Sequence, residues 1–124
     1  MPLERPQIDR PEGDVPFELG IDDLVEGDGP EATAGTKATV HYVGVAFSTG
    51  EEFDASWNRG RPFEFKLGKG QVIPGWDQGV EGMKVGGRRK LTIPSAMAYG
   101  AQGSPPAIGP NETLVFVIDL KKVS

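Results

Sequence analysis

Apolar residues alternate with polar residues in several parts of the chain, and this spacing predicts a protein built mainly of β-strands. The alternating positions are Phe63, Phe65 and Leu67, then Leu91 and Ile93, and finally Leu114, Phe116, Ile118 and Leu120. A period of two places such side chains on one face of each strand. The last run alternates most clearly, so we expect it to end the fold as a strand with one buried face.

A helical pattern occurs only around residues 75–82. Trp76 precedes Val80 by about one helical turn, and the apolar pair Val72 and Ile73 leads into the segment. Isolated short helices are marginal in water, so packing must hold this one, with Trp76 on the inside. One short helix among antiparallel strands predicts an α+β domain whose sheet curls over that helix.

The first 16 residues differ from the rest of the chain. Four prolines lie among charged residues there, and such a segment buries too little apolar surface to offset its ordering entropy. We therefore expect a flexible, proline-rich acidic arm over residues 1–16 and one domain over residues 17–124. Leu3 and Ile8 are the arm's candidates for local packing. The alternating run from Phe17 to Ile21 is expected to form the first strand.

Charge and length exclude some classes of partner. The 124 residues carry 18 acidic and 13 basic side chains, a net charge of −5. Such a chain is a poor candidate for nucleic-acid binding, because that affinity depends on phosphate neutralisation. Apolar runs are too short for a membrane span, and the N-terminus lacks the basic start and apolar centre of a secretory signal. A cytoplasmic location is the expectation.

Several chemistries lack the residues they need. The chain has no cysteine and a single histidine, His41, so a conventional zinc site is nearly excluded. No G-x-S-x-G motif occurs, and Gly68-Lys69-Gly70 lacks the Ser or Thr of a P-loop. We expect neither a cofactor nor a metal. An apolar, aromatic cavity remains, and it suits a reaction in which no covalent bond breaks.

Eight segments carry further information. They are residues 71–86, Val40-His41-Tyr42-Val43-Gly44, Glu52-Phe53-Asp54-Ala55-Ser56, Pro62-Phe63-Glu64-Phe65, Leu67-Gly68, Lys90-Leu91-Thr92-Ile93-Pro94, Ala98-Tyr99-Gly100 and Thr113-Leu114-Val115-Phe116. In order and spacing, they resemble the FKBP-type peptidyl-prolyl cis-trans isomerases, a family that binds the macrolide tacrolimus. The resemblance runs from about Phe17 to Lys122. It implies an antiparallel half-barrel of five or six strands wrapped around one short helix.

The resemblance also implies the residues of the site. It assigns catalytic roles to Tyr42, Asp54 and Tyr99, and substrate or ligand contacts to Phe53, Phe63, Val72, Ile73, Trp76, Ile108 and Phe116. Trp76 would lie under the proline ring, and the backbone N–H of Ile73 would hold a substrate carbonyl. The Tyr99 hydroxyl would donate to the carbonyl that precedes the X-Pro bond. Asp54 would either act on the substrate directly or form a structural pair with Arg59.

Two functions are consistent with these residues. The first is a peptidyl-prolyl cis-trans isomerase, or rotamase, that assists protein folding by accelerating X-Pro rotation. The second is a module that binds proline-containing peptides or macrolides with little turnover. Retention of Tyr42, Asp54, Trp76 and Tyr99 favours the enzyme, because binding alone needs only apolar contacts. In either case the expected partners are proline-containing polypeptides and tacrolimus-like macrolides, and the expected state is a monomer.

One part of the chain departs from the family pattern. Met97, Ser104, Ala107 and Gly109 stand where well-known members often have other residues, several of them bulkier. These positions border the loop expected to lie over the cavity. The departures therefore concern substrate preference and turnover, and they leave the expected fold unchanged.

Overall fold

The computed structural model describes residues 4–8, 11, 13–105 and 107–124. Its elements are the strands β1 (Gly20–Val25), β2 (Lys37–Ala46), β3 (Glu52–Ala55), β4 (Phe63–Lys66), β5 (Arg88–Ile93) and β6 (Leu114–Val123), the helix α1 (Pro74–Val80), and the 3₁₀ helices Ser56–Arg59 and Ser95–Met97. The strands form one antiparallel sheet in the order β1-β5-β6-β2-β3, and β4 also pairs with β2. The predicted α+β class, with six strands and one short α-helix, is confirmed.

The first strand begins later than the alternation predicted. β1 starts at Gly20, and the side chain of Phe17 is 97% exposed. Alternation fixes the face of a side chain only where a neighbouring strand is present to pair. β1 pairs with β5 from Gly20 onward, so the preceding residues lie outside the sheet.

The concave face of the sheet holds the main core. Leu114, Phe116, Ile118 and Leu120 all face this side and are at most 4% exposed. α1 lies against the same face, as the position of Trp76 in this core requires. The alternation in β6 therefore predicted the buried face correctly. No helix in the described ranges is long and apolar enough to cross a membrane.

The convex face of the sheet is buried as well. Val43, Val45, Val115 and Val117 alternate with the core positions of β2 and β6, and each is at most 3% exposed. The described part of the arm lies on this side: Arg88 donates a hydrogen bond to the Glu4 carbonyl. Within the arm, Pro6 is buried and Ile8 half-buried, whereas Leu3 lies outside the described residues. The flexibility of residues 1–16 stays a prediction.

Two glycines bring α1 close to the sheet. A Cβ atom on Gly75 would lie 2.4 Å from Cγ2 of Ile93, and one on Gly79 would lie 2.6 Å from Cδ1 of Leu91. Real Cβ atoms do not approach carbon atoms this closely, so any larger residue at either position would force the facing side chain of β5 to shift. Pro74 occupies the first turn, where the missing N–H costs no hydrogen bond. The close approach places Trp76 in the core.

Gly79→Ala is therefore expected to destabilise the protein, although alanine favours helix by about 1 kcal/mol over glycine. Leu91 is fully buried, so its displacement would disturb the core, and this overpacking should cost about 1–3 kcal/mol. Urea unfolding measures the difference. Gln78→Ala, at an exposed position of the same helix, is the matched control and should change stability little. Equal or greater stability of Gly79→Ala would contradict the close packing.

Candidate active site

A cavity of about 280 Å³ opens between α1, the concave face of the sheet and the loop that carries Tyr99. Its lining consists of Tyr42, Phe53, Asp54, Phe63, Gln71, Val72, Ile73, Trp76, Tyr99 and Phe116. Nine of the ten residues expected from the sequence lie here, from separate strands, one helix and two loops. The structure thus brings most of the expected site together in one apolar, aromatic cavity.

Trp76 forms the floor of the cavity. Its side chain is 5% exposed and meets three rings edge to face: Tyr42 at 4.9 Å, Phe116 at 5.2 Å and Phe63 at 6.0 Å between centroids. Edge-to-face contacts at these distances are favourable beyond the area they bury. The indole N–H has no hydrogen-bond partner among the described residues, so packing within the core fixes this ring.

A glycine in the middle of β2 makes room for one wall. Phe53 and Phe116 meet edge to face at 5.4 Å. A Cβ atom on Gly44 would lie 2.6 Å from Cε1 of Phe116 and 2.7 Å from Cζ of Phe53. Any larger residue would push both rings into the cavity. A glycine inside a strand often marks such a close approach, and this was the sequence signal for the role of Gly44.

Three polar side chains form a closed network at the cavity edge. The Tyr42 hydroxyl donates to Oδ2 of Asp54 at 2.5 Å and accepts from Nη2 of Arg59 at 2.8 Å. Nη1 of Arg59 donates to Oδ1 of Asp54 at 2.9 Å. Asp54 therefore pairs with Arg59 and also lines the cavity, so both expected arrangements occur together. About four-tenths of each charged side chain is exposed, so the ion pair by itself adds little stability.

The environment of Tyr42 keeps its hydroxyl protonated. Burial, together with the hydrogen bond to Asp54, raises the pKa of Tyr42 to about 12, although Arg59 acts in the opposite direction. The hydrogen bond to Tyr42 is in turn the main cause that raises the pKa of Arg59. Around neutral pH the phenol is therefore a neutral donor beside the cavity.

The segment between β3 and β4 is fixed to the back of β2. Ser56 is fully buried, and its Oγ accepts from the N–H of Tyr42 at 2.7 Å and bonds Nδ1 of His41 at 2.8 Å. Trp57 stacks on the His41 ring at 4.4 Å. Burial, followed by the charge of Lys121, lowers the pKa of His41 despite the opposing effect of Asp119. His41 is a hydrogen-bonded residue away from the cavity.

Two residues differ from the expected site. Ile108 does not line the cavity; it is 4% exposed and packs within the main core, so its contact with a ligand stays a prediction. Gln71, which sequence reasoning did not select, does line the cavity, and its Oε1 accepts from the N–H of Lys66 at 2.8 Å. In the sequence, only the position of Gln71 directly before Val72 indicated that it could line the cavity.

The remaining expected residues lie at the rim. Tyr99 is 41% exposed and follows the 3₁₀ helix Ser95–Met97. Ile73 directly precedes α1, and its carbonyl accepts from the N–H of Trp76 at 2.9 Å. Within the described ranges, no three His, Cys, Asp or Glu residues lie close enough together to hold a metal ion. The cavity thus offers an aromatic interior with a few polar groups at its edge.

Relatives of known sequence share this chain almost from end to end. An "FK506-binding protein" of Streptomyces anulatus is 63% identical over 124 residues, which cover 99% of this chain and 100% of the relative. A "Probable FK506-binding protein" of Corynebacterium glutamicum is 52% identical over 118 residues, covering 95% of this chain and 98% of the relative.

Solved structures and a family pattern give the same result. The crystal structure of AtFKBP13 is 40% identical with a TM-score of 0.80, covering 89% of this chain and 96% of that one. The crystal structure of FkpA from Escherichia coli is 40% identical with a TM-score of 0.78, and the match covers 86% of this chain and 48% of that one. The pattern described as "FKBP-type peptidyl-prolyl cis-trans isomerase" matches residues 29–121. This chain therefore belongs to the FKBP-type peptidyl-prolyl cis-trans isomerases.

Proposed function

We propose that the enzyme accelerates X-Pro rotation by holding the proline ring against Trp76 while the amide twists in the apolar cavity. The observation that carries this proposal is the aromatic cavity around a single, rigidly packed indole. Such a floor accepts the compact aliphatic ring of proline and offers no nucleophile. The reaction needs none, because no covalent bond is made or broken.

The energetics of the amide support this mechanism. Rotation costs roughly 18–20 kcal/mol, because resonance is lost at the twisted geometry. The twisted amide has less charge separation than the planar one, so an apolar surrounding disfavours the planar form more. A rate increase of about 10⁵ needs roughly 7 kcal/mol of such discrimination. A catalyst obtains it by binding the twisted form better than the planar form.

The polar groups at the edge would orient the substrate. Tyr99 would donate to the carbonyl before the X-Pro bond, and the backbone N–H of Ile73 would hold a second carbonyl. Asp54, fixed by Tyr42 and Arg59, would contact the substrate from the opposite side. The loop that carries Tyr99 also contains Ser104, Ala107 and Gly109, so it would set the substrate preference.

Binding without turnover is the second candidate function. The names of these relatives record binding of FK506, the macrolide called tacrolimus, and the cavity would accept such a ligand at the same floor. We propose that FK506 and proline-containing polypeptides compete for this site. A monomeric state and a cytoplasmic location stay predictions from the sequence.

The deciding experiment measures isomerisation of a short X-Pro peptide in a protease-coupled assay, with and without FK506. We expect catalysis in the presence of a chelator, competitive inhibition, and a change of Trp76 fluorescence in a Trp57→Phe background. Trp76→Ala should weaken FK506 and lower stability by about 3–5 kcal/mol, as for other buried large-to-small changes. If micromolar FK506 alters neither turnover nor fluorescence, this cavity is not the binding site.

Asp54→Asn should separate catalysis from stability. It keeps the shape of the side chain but removes the charge that pairs with Arg59, so kcat/KM should fall about tenfold, or about 1.4 kcal/mol. The melting temperature should change little, because the pair is partly exposed. Glu64→Gln, in an exposed pair with Lys37, is the control. Unchanged turnover in Asp54→Asn would assign Asp54 a structural role only.

Tyr42 should ionise at unusually high pH. Near-ultraviolet absorbance should show its phenol half-ionised near pH 12, and the Tyr42→Phe variant should lack this step. Because the pKa of Tyr42 is higher in the folded than in the unfolded protein, it adds to the free energy of unfolding as long as the phenol is protonated in both forms. This stabilisation is therefore complete below about pH 10, the unfolded pKa, and is lost as the pH rises towards 12. A step at or below pH 10 that the Tyr42→Phe variant removes, in protein that is still folded, would contradict the burial of this phenol and its hydrogen bond to Asp54.

A further inference from the structure

The described part of the N-terminal arm contacts the strand that carries Asp54. Nη1 of Arg5 donates to Oδ1 of Asn58 at 2.6 Å, and Nη2 of Arg5 pairs with the Glu52 carboxylate. Nδ2 of Asn58 donates to Oε2 of the same Glu52 at 3.1 Å. Arg5, Glu52 and Asn58 thus form a closed set of contacts, which we name the arm clamp. It joins positions 47 and 53 residues apart in the sequence.

A β-bulge connects the arm clamp to the cavity. β3 pairs with β2 through Gly44 opposite Asp54 and Val45 opposite Glu52, with a register shift between them. Gly44 faces the cavity rings, whereas Val45 belongs to the buried convex face. Phe53 is the extra residue of this bulge. Because of it, Asp54 points towards the cavity and Glu52 towards the arm. Bulges commonly redirect side chains in this way beside active sites.

The arm clamp also includes the residue that directly precedes Arg59, the second charged member of the cavity network. Asn58 and Arg59 are consecutive residues of the 3₁₀ helix Ser56–Arg59, which ends at Gly60 in the left-handed conformation with φ of 70°. Ser56, at the start of this helix, is fixed to β2 by its buried hydroxyl. At the other end, Asn58 is held by the arm clamp and Arg59 by Asp54 and Tyr42.

Charge explains why Arg5 matters to this arrangement. Glu52 lies two residues from Asp54, and Arg5 is its partner in the ion pair. Without Arg5, the Glu52 carboxylate keeps only the Asn58 amide among its described partners, and Asn58 loses the guanidinium that its Oδ1 accepts from. The side chains of Arg5 and Glu52 are 39% and 33% exposed, so their pair contributes little to overall stability. Its consequence is the geometry of the segment between Glu52 and Arg59.

We propose that Arg5, Glu52 and Asn58 are positioning residues that hold Asp54 and Arg59 in place for isomerisation. The N-terminal arm thereby completes the active site from the opposite face of the sheet. This inference rests on the proposed role of Asp54, Arg59 and Tyr42 at the substrate.

The test compares Arg5→Gln with Arg61→Gln in the full-length protein at low ionic strength. Arg61 is an exposed arginine between the 3₁₀ helix Ser56–Arg59 and β4, and the described contacts give it no ion pair. The Arg61→Gln variant should therefore match the wild type. Arg5→Gln should lower kcat/KM by about threefold to fivefold, the range that a partly exposed ion pair allows. The melting temperature should be unchanged, and Arg5→Lys should recover part of the activity.

A double-mutant cycle identifies the route of the effect. If Arg5 acts through Asp54, then adding Arg5→Gln to Asp54→Asn should change kcat/KM little further. An equal loss in both backgrounds would overturn the proposal, and so would an Arg5→Gln enzyme as active as Arg61→Gln.

A measurement that does not depend on turnover completes the design. The ¹⁵N resonance of the Arg59 side-chain Nε should shift in Arg5→Gln and stay in place in Arg61→Gln. An unmoved resonance would overturn the positioning role. If the wild type itself fails to catalyse, the proposed function is wrong, and this resonance still decides whether the arm clamp holds Arg59.

Discussion

The packing of Trp76 is the interaction on which both the helix and the cavity depend. A helix of seven residues is unstable alone, and α1 exists because Gly75 and Gly79 let its backbone lie against the side chains of β5. That close approach brings the indole into contact with three aromatic rings. The same ring is therefore part of the core and the floor of the cavity, so changes to it alter stability and binding together.

The cavity combines this buried apolar floor with a polar edge on a more exposed segment. Tyr42 belongs to β2 in the middle of the fold, whereas Asp54 and Arg59 lie on the excursion between β2 and β4. Their hydrogen bonds tie a partly exposed segment to a buried strand. The division suits isomerisation, because the floor must exclude water while the edge must admit a peptide.

Both faces of the central strands are buried, and this links distant parts of the chain. On the concave side β2 and β6 contact the helix, and on the convex side their valines are covered. Arg88 links the arm to β6: it pairs with the buried Asp119 of that strand and donates to the Glu4 carbonyl of the arm. The hydrogen bonds to Asp119 are the main cause that raises the pKa of Arg88. The arm is thus in contact with the same strands that carry the cavity residues.

The sequence by itself determined the α+β class, the alternating face of residues 114–120 and the inward position of Trp76, because these depend on local periodicity. The cavity residues followed from the family resemblance, since no local pattern specifies which strands converge. Only the tertiary structure decided that Gln71 lines the cavity, that Ile108 lies in the core, and that Arg5 reaches the strand of the site. Strand register, a bulge and close backbone approach fix these contacts, and each joins residues that are distant in sequence.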